Sequence, residues 1–493
     1  MFSYNIKINT LADRTLISPF SITVSQGDKI ALIGEEGNGK SVFLKALVDP
    51  GLLKELKIAR SLSHNIIFGY LSQEISKMDQ QETILDYCIQ NDWNLYPKFM
   101  SEFNKILSNL EPERMIDTLS GGERMKVQII RLLCLEPDCY VLDEPSNDID
   151  FETLEFLESW MQSLDKPILF VSHDERLIQN VANKILHFEQ THRKTNSILT
   201  FYEGTYDAYR GQRINAITKH NTNVQNKINE KNKQLKRWDE LYRKVSKDLK
   251  ATKGNEPEKG RLLKKKMNQV KSMKKRFDKD TIDDKRDMEE AISLRFDKQD
   301  RQADSILFDY KVDELYIEDK YLGKSYQLSM RRKEKIACIG RNGIGKTVFL
   351  EELIKNLRID FGVMYQDYSK NLDYDKTTIE NLVMDGSNDE LTQIMLRLGN
   401  LKFTESEMNA KVSMLSGGQK AKLSLLRLVF QNKSLILLDE PTRNLSPLSV
   451  SVIYEMLDAY EGAIYCITHD RNLIAAVFNN VLEFTEEGFK RIT

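Results

Sequence analysis

The sequence predicts an α/β chain: two homologous domains, each a parallel sheet covered on both faces by helices, joined by a long antiparallel helical hairpin. Three observations lead there. Four sequence blocks occur twice, in the same order. In each copy, apolar strand-like runs alternate with helical patterns. Between the copies the pattern changes to an apolar stripe recurring every three or four residues within dense positive charge.

The first block, Gly34-Glu35-Glu36-Gly37-Asn38-Gly39-Lys40-Ser41, returns 306 residues later as Gly340-Arg341-Asn342-Gly343-Ile344-Gly345-Lys346-Thr347. Three further blocks return after 296 residues: Leu119-Ser120-Gly121-Gly122-Glu123 as Leu415-Ser416-Gly417-Gly418-Gln419, Leu142-Asp143-Glu144-Pro145 as Leu438-Asp439-Glu440-Pro441, and Ser172-His173-Asp174 as Thr468-His469-Asp470. These repeats place one domain at 1–209 and the other at 304–493. Each first block follows an apolar run (Lys29–Ile33; Lys335–Ile339) and precedes a helical pattern. Each third block closes another buried-strand run.

Between the domains, Leu235, Trp238, Leu241 or Tyr242, Val245 and Leu249 form a helical stripe, and Leu262 or Leu263, Met267, Val270, Met273 and Phe277 form a second. The break between them, 252–260, holds Gly, Asn and Pro, which favour a turn. Residues 210–303 are therefore expected to be two helices of about 40 residues and about 60 Å each, with the tip at about 251–260. The stripe makes Trp238 a coiled-coil core residue before it is a base-stacking one.

The chain of 493 residues carries a formal charge of −2, yet 231–280 holds 19 Lys/Arg against 7 Asp/Glu, a local +12, leaving −14 elsewhere. Such asymmetry points to a polyanionic partner. Lys264-Lys265-Lys266 with Lys271, Lys274 and Lys275 set like charges three and four residues apart, costing roughly 0.2–0.5 kcal/mol per pair. Phosphates would relieve that repulsion. Mean hydropathy is −0.47 and no run of about 18 apolar residues occurs, so no membrane domain is expected. Met1-Phe2-Ser3-Tyr4-Asn5 lacks a basic-then-apolar pattern, so no secretory leader is expected. Five scattered cysteines fit a reducing, cytoplasmic setting better than disulfides or structural zinc.

A Gly-x-x-x-x-Gly-Lys-Ser/Thr block after a strand is a phosphate-binding loop: Gly34, Gly37, Asn38 and Gly39, like Gly340, Gly343, Ile344 and Gly345, offer backbone N–H groups. Lys40 and Lys346 reach phosphate oxygens, and the Ser41 and Thr347 hydroxyls suit Mg²⁺. Asp143 and Asp439 end strands where a magnesium-linked carboxylate is needed, and Glu144 and Glu440 stand beside them to polarise an attacking water. Ser120, Gly121 and Gly122, and likewise Ser416, Gly417 and Gly418, offer a hydroxyl and a helix N-terminus to an anion.

This constellation resembles the ATP-binding-cassette ATPases across both domains. The resemblance implies two cassettes facing head to tail in one monomer, ATP and Mg²⁺ as cofactors, and two composite sites. One pairs Lys40, Ser41, Gln73, Asp143, Glu144 and His173 with Ser416, Gly417 and Gly418. The other pairs Lys346, Thr347, Gln366, Asp439, Glu440 and His469 with Ser120, Gly121 and Gly122. It makes Gln73 and Gln366 magnesium- and water-sensing residues, and His173 and His469 γ-phosphate switches. The segment after the catalytic Glu ends in Asp150 in the first domain but in Ser446 in the second, which implies unequal hydrolysis. Tyr316 or Tyr321 is the candidate adenine-stacking residue before Lys346, and no counterpart precedes Lys40.

A transporter ATPase would need a separate membrane partner, and a DNA-repair or chromosome ATPase would carry the coil inside one cassette. Two complete cassettes around a basic hairpin resemble instead the ABC-F proteins of translation, as does Tyr202–Tyr209. That implies a 70S ribosome partner, with the linker in the E site against rRNA and P-site tRNA, and no DNA. The interval from Gln73 to Ser120 is 47 residues and that from Gln366 to Ser416 is 50, leaving no room for an inserted arm. This resembles the antibiotic-resistance branch, whose members displace drugs near the peptidyl-transferase centre. A housekeeping translation factor, or the soluble subunit of a transporter, are the alternative readings.

Overall fold

A computed structural model describes residues 1–493 apart from 11–14, 36, 54, 74, 77, 148, 192–195, 252–256, 280–304, 318–319, 385, 402, 444 and 493. Met1–Asp207 and Glu290–Thr493 form one compact unit, and Ala208–Glu289 a second.

The first repeat begins with β1 (Phe2–Thr10), β2 (Thr15–Val24) and β3 (Lys29–Ile33), then α1 (Lys40–Val48), β4 (Leu56–Leu62) and β5 (Phe68–Leu71). Helices α2 (Ile84–Ile89), α3 (Tyr96–Ile106) and α4 (Gly121–Leu135) lead to β6 (Cys139–Asp143), α5 (Phe151–Ser163), β7 (Ile168–Val171), α6 (Glu175–Val181), β8 (Lys184–Thr191) and β9 (Asn196–Glu203). The core sheet runs β5-β6-β7-β3-β8-β9, parallel except for the antiparallel edge strand β9, and β2-β1-β4 form a smaller antiparallel sheet. Every residue of β6 and β7 is buried, because helices cover both faces.

The hairpin consists of α7 (Tyr206–Ala251) and α8 (Pro257–Lys279). At 46 residues, α7 is about 69 Å long. The turn expected at 251–260 is shorter: Pro257–Gly260 already belong to α8, since proline is pre-set for a first helical turn. The rest of that turn and the stretch beyond 279 lie outside the described residues. Val245 and Val270 are buried between the helices, while Leu262 and Met273 of the expected stripe are exposed. Trp238 donates its indole N–H to the Val270 carbonyl at 2.7 Å, stacks on Tyr242 at 5.1 Å and carries Lys274 over its face at 5.0 Å. The ring therefore clasps α8 to α7. Lys264, Lys265, Lys266 and Lys271 are exposed.

The second repeat starts with the antiparallel pair β10 (Ile306–Ile317) and β11 (Lys320–Arg331), followed by β12 (Lys335–Ile339), α9 (Lys346–Asn356) and β13 (Phe361–Met364). Then come α10 (Asn388–Asn400), α11 (Glu405–Met408), α12 (Gly417–Gln431), β14 (Leu435–Asp439), α13 (Pro447–Asp458), β15 (Ala463–Ile467), α14 (Arg471–Val477), β16 (Asn480–Thr485) and β17 (Gly488–Arg491). The sheet order β13-β14-β15-β12-β16-β17 reproduces that of the first repeat. In both, a switch from one direction to the other occurs at the phosphate-loop strand, so the loops emerge at the carboxyl edge where ligands bind in such sheets. No helix among the described residues is long and apolar enough to cross a membrane.

Trp238→Ala is expected to destabilise the hairpin by about 2 kcal/mol, less than for a fully buried aromatic because the ring is half-buried. Hydrogen exchange should accelerate in α7 and α8 and stay unchanged in the two core sheets.

Candidate functional site

Gly34 and Gly340 have φ of 140° and 148°, and a Cβ on them would stand 2.3 Å from the Phe188 carbonyl oxygen and 2.8 Å from that of Phe484. Only glycine lets the loop run this close to the neighbouring strand. Asn38 ties the first loop to the same strand, donating to the Phe188 carbonyl at 2.9 Å, whereas Ile344 packs into the apolar core of its repeat. Gly39 and Gly345 are left-handed N-caps of α1 and α9. Each buried lysine turns back over its loop: Lys40 Nζ donates to the carbonyls of Gly34 (2.7 Å) and Glu35 (3.1 Å), and Lys346 Nζ to those of Gly340 (2.5 Å) and Arg341 (2.9 Å).

Beside each lysine lies a pair of hard oxygen donors. Ser41 Oγ donates to Asp143 Oδ1 at 2.8 Å and Thr347 Oγ1 to Asp439 Oδ2 at 3.0 Å. Tyr70, which the sequence reading missed, donates to Asp143 Oδ2 at 3.2 Å. Burial raises both aspartates, against the lowering by these hydroxyls. A divalent cation there would relieve that cost, and a hydroxyl beside a carboxylate is the donor set that Mg²⁺ prefers. Glu144 and Glu440 have φ of 53° and 51°, the same strained left-handed backbone at the end of β6 and of β14.

The two histidines differ. His173 Nε2 lies 2.9 Å from Glu144 Oε1, and its Nδ1 is 2.6 Å from the carbonyl oxygen of Leu445 in the other repeat. Burial would raise the Glu144 carboxyl, but His173 and then Lys40 hold it below the ordinary value. His469 Nε2 is 3.9 Å from Glu440 and instead 3.2 Å from Lys346 Nζ and 3.1 Å from Asn342 Oδ1. Burial and the Asp439 charge push Glu440 up to about 8, and burial with the Lys346 charge lowers His469 to about 4. The first repeat sets its carboxylate 2.9 Å from the histidine, where the second sets a raised carboxyl 3.9 Å from a lowered histidine.

Ser120 and Ser416 are N-caps of α4 and α12: each Oγ accepts from the amide of the residue three later, Glu123 or Gln419, at 3.3 Å. Their hydroxyl hydrogens are left to donate outward. A cavity of about 650 Å³ joins Gly121, Arg124, Ser146, Asn147 and Ile149 of the first repeat to Asn342, Gly343, Gly345, Lys346, Thr347, Gln366, Asp439, Glu440 and His469 of the second. Of the three residues expected from the opposite repeat, Gly121 lines this cavity beside Lys346, whereas Ser120 and Gly122 are not among its lining residues. Ile317 and Leu322 also line this cavity, and no motif or periodicity marks either. Tyr316 and Tyr321 pack edge to face at 5.5 Å, both partly exposed. Around Lys40 the repeats meet through His173 and Leu445, and through Lys422, whose Nζ is 3.3 Å from Glu35 Oε1. Gln73 is exposed just beyond β5. Asp150 caps α5; burial raises its carboxyl, but the hydrogen bonds from Thr153 hold it below the ordinary value. Its counterpart Ser446 is the N-cap of α13 without a side-chain capping hydrogen bond, its hydroxyl pairing with that of Ser449 at 2.9 Å.

The model of the family described as ABC transporter matches residues 17–147 and 323–443, half of the chain. The chain belongs to the ABC transporter family. Its two ABC cassettes bind ATP and it is an ATPase. It is 27% identical to ABC transporter F family member 5 of Arabidopsis thaliana, covering 96% of this chain and 73% of that one. It is 26% identical to the ATP-binding protein Uup of Haemophilus influenzae, covering 94% and 76%. The F-family relatives and the tandem cassettes group it with the ABC-F proteins. In fold it is similar to RNase-L inhibitor, with a TM-score of 0.58, 18% identity, and 95% and 87% of the two chains covered.

The raised Glu440 carboxyl gives a stability test. Against an ordinary value of 4.5 and a folded value of about 8, the folded nucleotide-free ABC protein keeps a proton there that the unfolded chain has lost. Stability contributed by that proton falls as pH rises through the folded value. His469, lowered to about 4, acts oppositely below its ordinary 6.5, so the Glu440 slope stands alone between about pH 6.5 and 8. Melting curves of Glu440→Gln should lose that decline; a decline equal to that of the unsubstituted chain would contradict the assignment.

Proposed function

We propose that this ABC-F ATPase acts on the 70S ribosome: its hairpin enters the E site, lies against rRNA and P-site tRNA, and displaces antibiotics bound at the peptidyl-transferase centre. The observation that carries this reading is the +12 segment within a compact unit of its own, with Lys264, Lys265, Lys266 and Lys271 exposed. Surface charge of this density suits phosphate backbones and gives salt-dependent binding. Two intervals without an inserted arm, filled by α2–α3 and by α10–α11, support the resistance branch over a housekeeping role. Among the proteins of like fold, one is an archaeal ribosome recycling factor in complex with a ribosomal stalk protein, at a TM-score of 0.58 and 17% identity.

In this proposal the two sites work as one clamp. Lys40 and Lys346 would hold the β- and γ-phosphates, and Ser41 with Asp143 and Thr347 with Asp439 would hold Mg²⁺, which would neutralise phosphate charge. Gln73 and Gln366 sense that metal and its water. Glu144 and Glu440 orient the attacking water, His173 and His469 read the γ-phosphate, and the Ser120 and Ser416 helix ends complete each site from the opposite repeat. Closure of the clamp steers the hairpin, and hydrolysis releases it.

Glu144→Gln with Glu440→Gln should trap ATP and hold the protein on 70S ribosomes in sedimentation; absence of ATP-dependent co-sedimentation would overturn the ribosomal reading. Replacing 252–259 with a short Gly/Ser turn should abolish drug protection in cells while leaving ATPase activity intact. Retained ribosome binding with drug susceptibility unaffected by the protein would mean a general translation role instead.

A further inference from the structure

Arg471 is the first residue of α14 and is 7% exposed. Its Nη2 donates to Glu158 Oε2 at 2.9 Å and lies 3.9 Å from Asp174 Oδ1, and its guanidinium sits over the Phe151 ring at 5.8 Å. All three partners belong to the first repeat. Next to it, Asn472 Nδ2 donates to Glu175 Oε2 at 3.5 Å, again across the interface.

These contacts join the two switch segments. Asp174 follows His173 and accepts the Leu177 amide at 2.7 Å as the cap of α6. Asp470 follows His469, caps α14 through the Asn472 and Leu473 amides, each at 3.0 Å, and is gripped by the Tyr454 hydroxyl at 2.8 and 3.0 Å. Any movement of one histidine segment is therefore passed through a capped helix end to a buried guanidinium fixed in the other repeat.

The connection is one-sided. By the 296-residue spacing, Arg471 corresponds to Glu175 and Glu158 corresponds to Tyr454. The symmetric ion pair cannot form, because a carboxylate and a phenol stand in its place. A single buried pair has no duplicate to compensate its loss, and removing one partner leaves the other charge buried and uncompensated.

We propose that Arg471 is a positioning residue for ATP hydrolysis, locking the two switch-histidine segments into one register through Glu158 and Asp174 so that both sites close together. It touches neither nucleotide site itself. The inference rests on the closure of the two repeats and not on the ribosomal proposal, so it is read on the purified full chain without ribosomes.

The test is a double-mutant cycle on steady-state ATPase activity. Arg471→Gln and Glu158→Gln should each lower kcat by at least about tenfold, the double variant should fall no further than either, and Arg471→Lys should keep part of the activity. MgADP affinity, which needs only the phosphate loops, should stay within about twofold in every variant that keeps its circular dichroism and melting temperature. Unchanged kcat in Arg471→Gln, additive losses in the double variant, or a fall in kcat matched by loss of MgADP affinity would each overturn the proposal.

Discussion

Everything chemical in this protein depends on two surfaces of one chain meeting face to face. A phosphate loop alone presents a lysine, a hydroxyl and N–H groups from one side. At Lys346 the missing side comes from the start of α4 and from Ser146, Asn147 and Ile149 of the other repeat, around a cavity of about 650 Å³. At Lys40 it comes from Leu445 and Lys422. A single chain holding both halves makes this closure intramolecular, at the high effective concentration a tether provides. In the proposed clamp, binding energy at the phosphates is converted into movement of one repeat on the other.

Duplication did not leave the two sites alike. Around His173 a carboxylate within 2.9 Å and a main-chain carbonyl across the interface enclose the ring. Around His469 the ring instead meets Lys346 and Asn342, and the Glu440 carboxyl, set against the buried Asp439, favours its proton. Asp150 supplies a charge toward the second site, whereas Ser446 supplies none toward the first. The two chemistries are thus expected to differ in rate, and the departure at Ser446 was the one visible trace of it in the amino-acid string.

Much of the fold was legible because its signals are local. Strand, phosphate loop and helix follow each other within a dozen residues, and the doubling at fixed spacing made each block a check on the other. The partners that lie far away in sequence were not legible. Tyr70 on Asp143, Ile317 and Leu322 at the cavity, and Arg471 on Glu158 depend on which faces the fold turns together. No periodicity encodes that. The hairpin shows both cases: the stripe places Trp238 between helices, where the structure has it, but the composition of 252–260 predicts a turn through Pro257, whose fixed φ instead opens α8.

The closure of the repeats on nucleotide can be measured directly. Arg341 and Glu152 are exposed and face each other across the interface at 3.6 Å, and all five native cysteines are buried. In a chain carrying Arg341→Cys, Glu152→Cys, Glu144→Gln and Glu440→Gln, disulfide formation between the introduced thiols should be fast with MgATP and slow without nucleotide. Equal rates in the two conditions would contradict the claim that ATP clamps the two halves together.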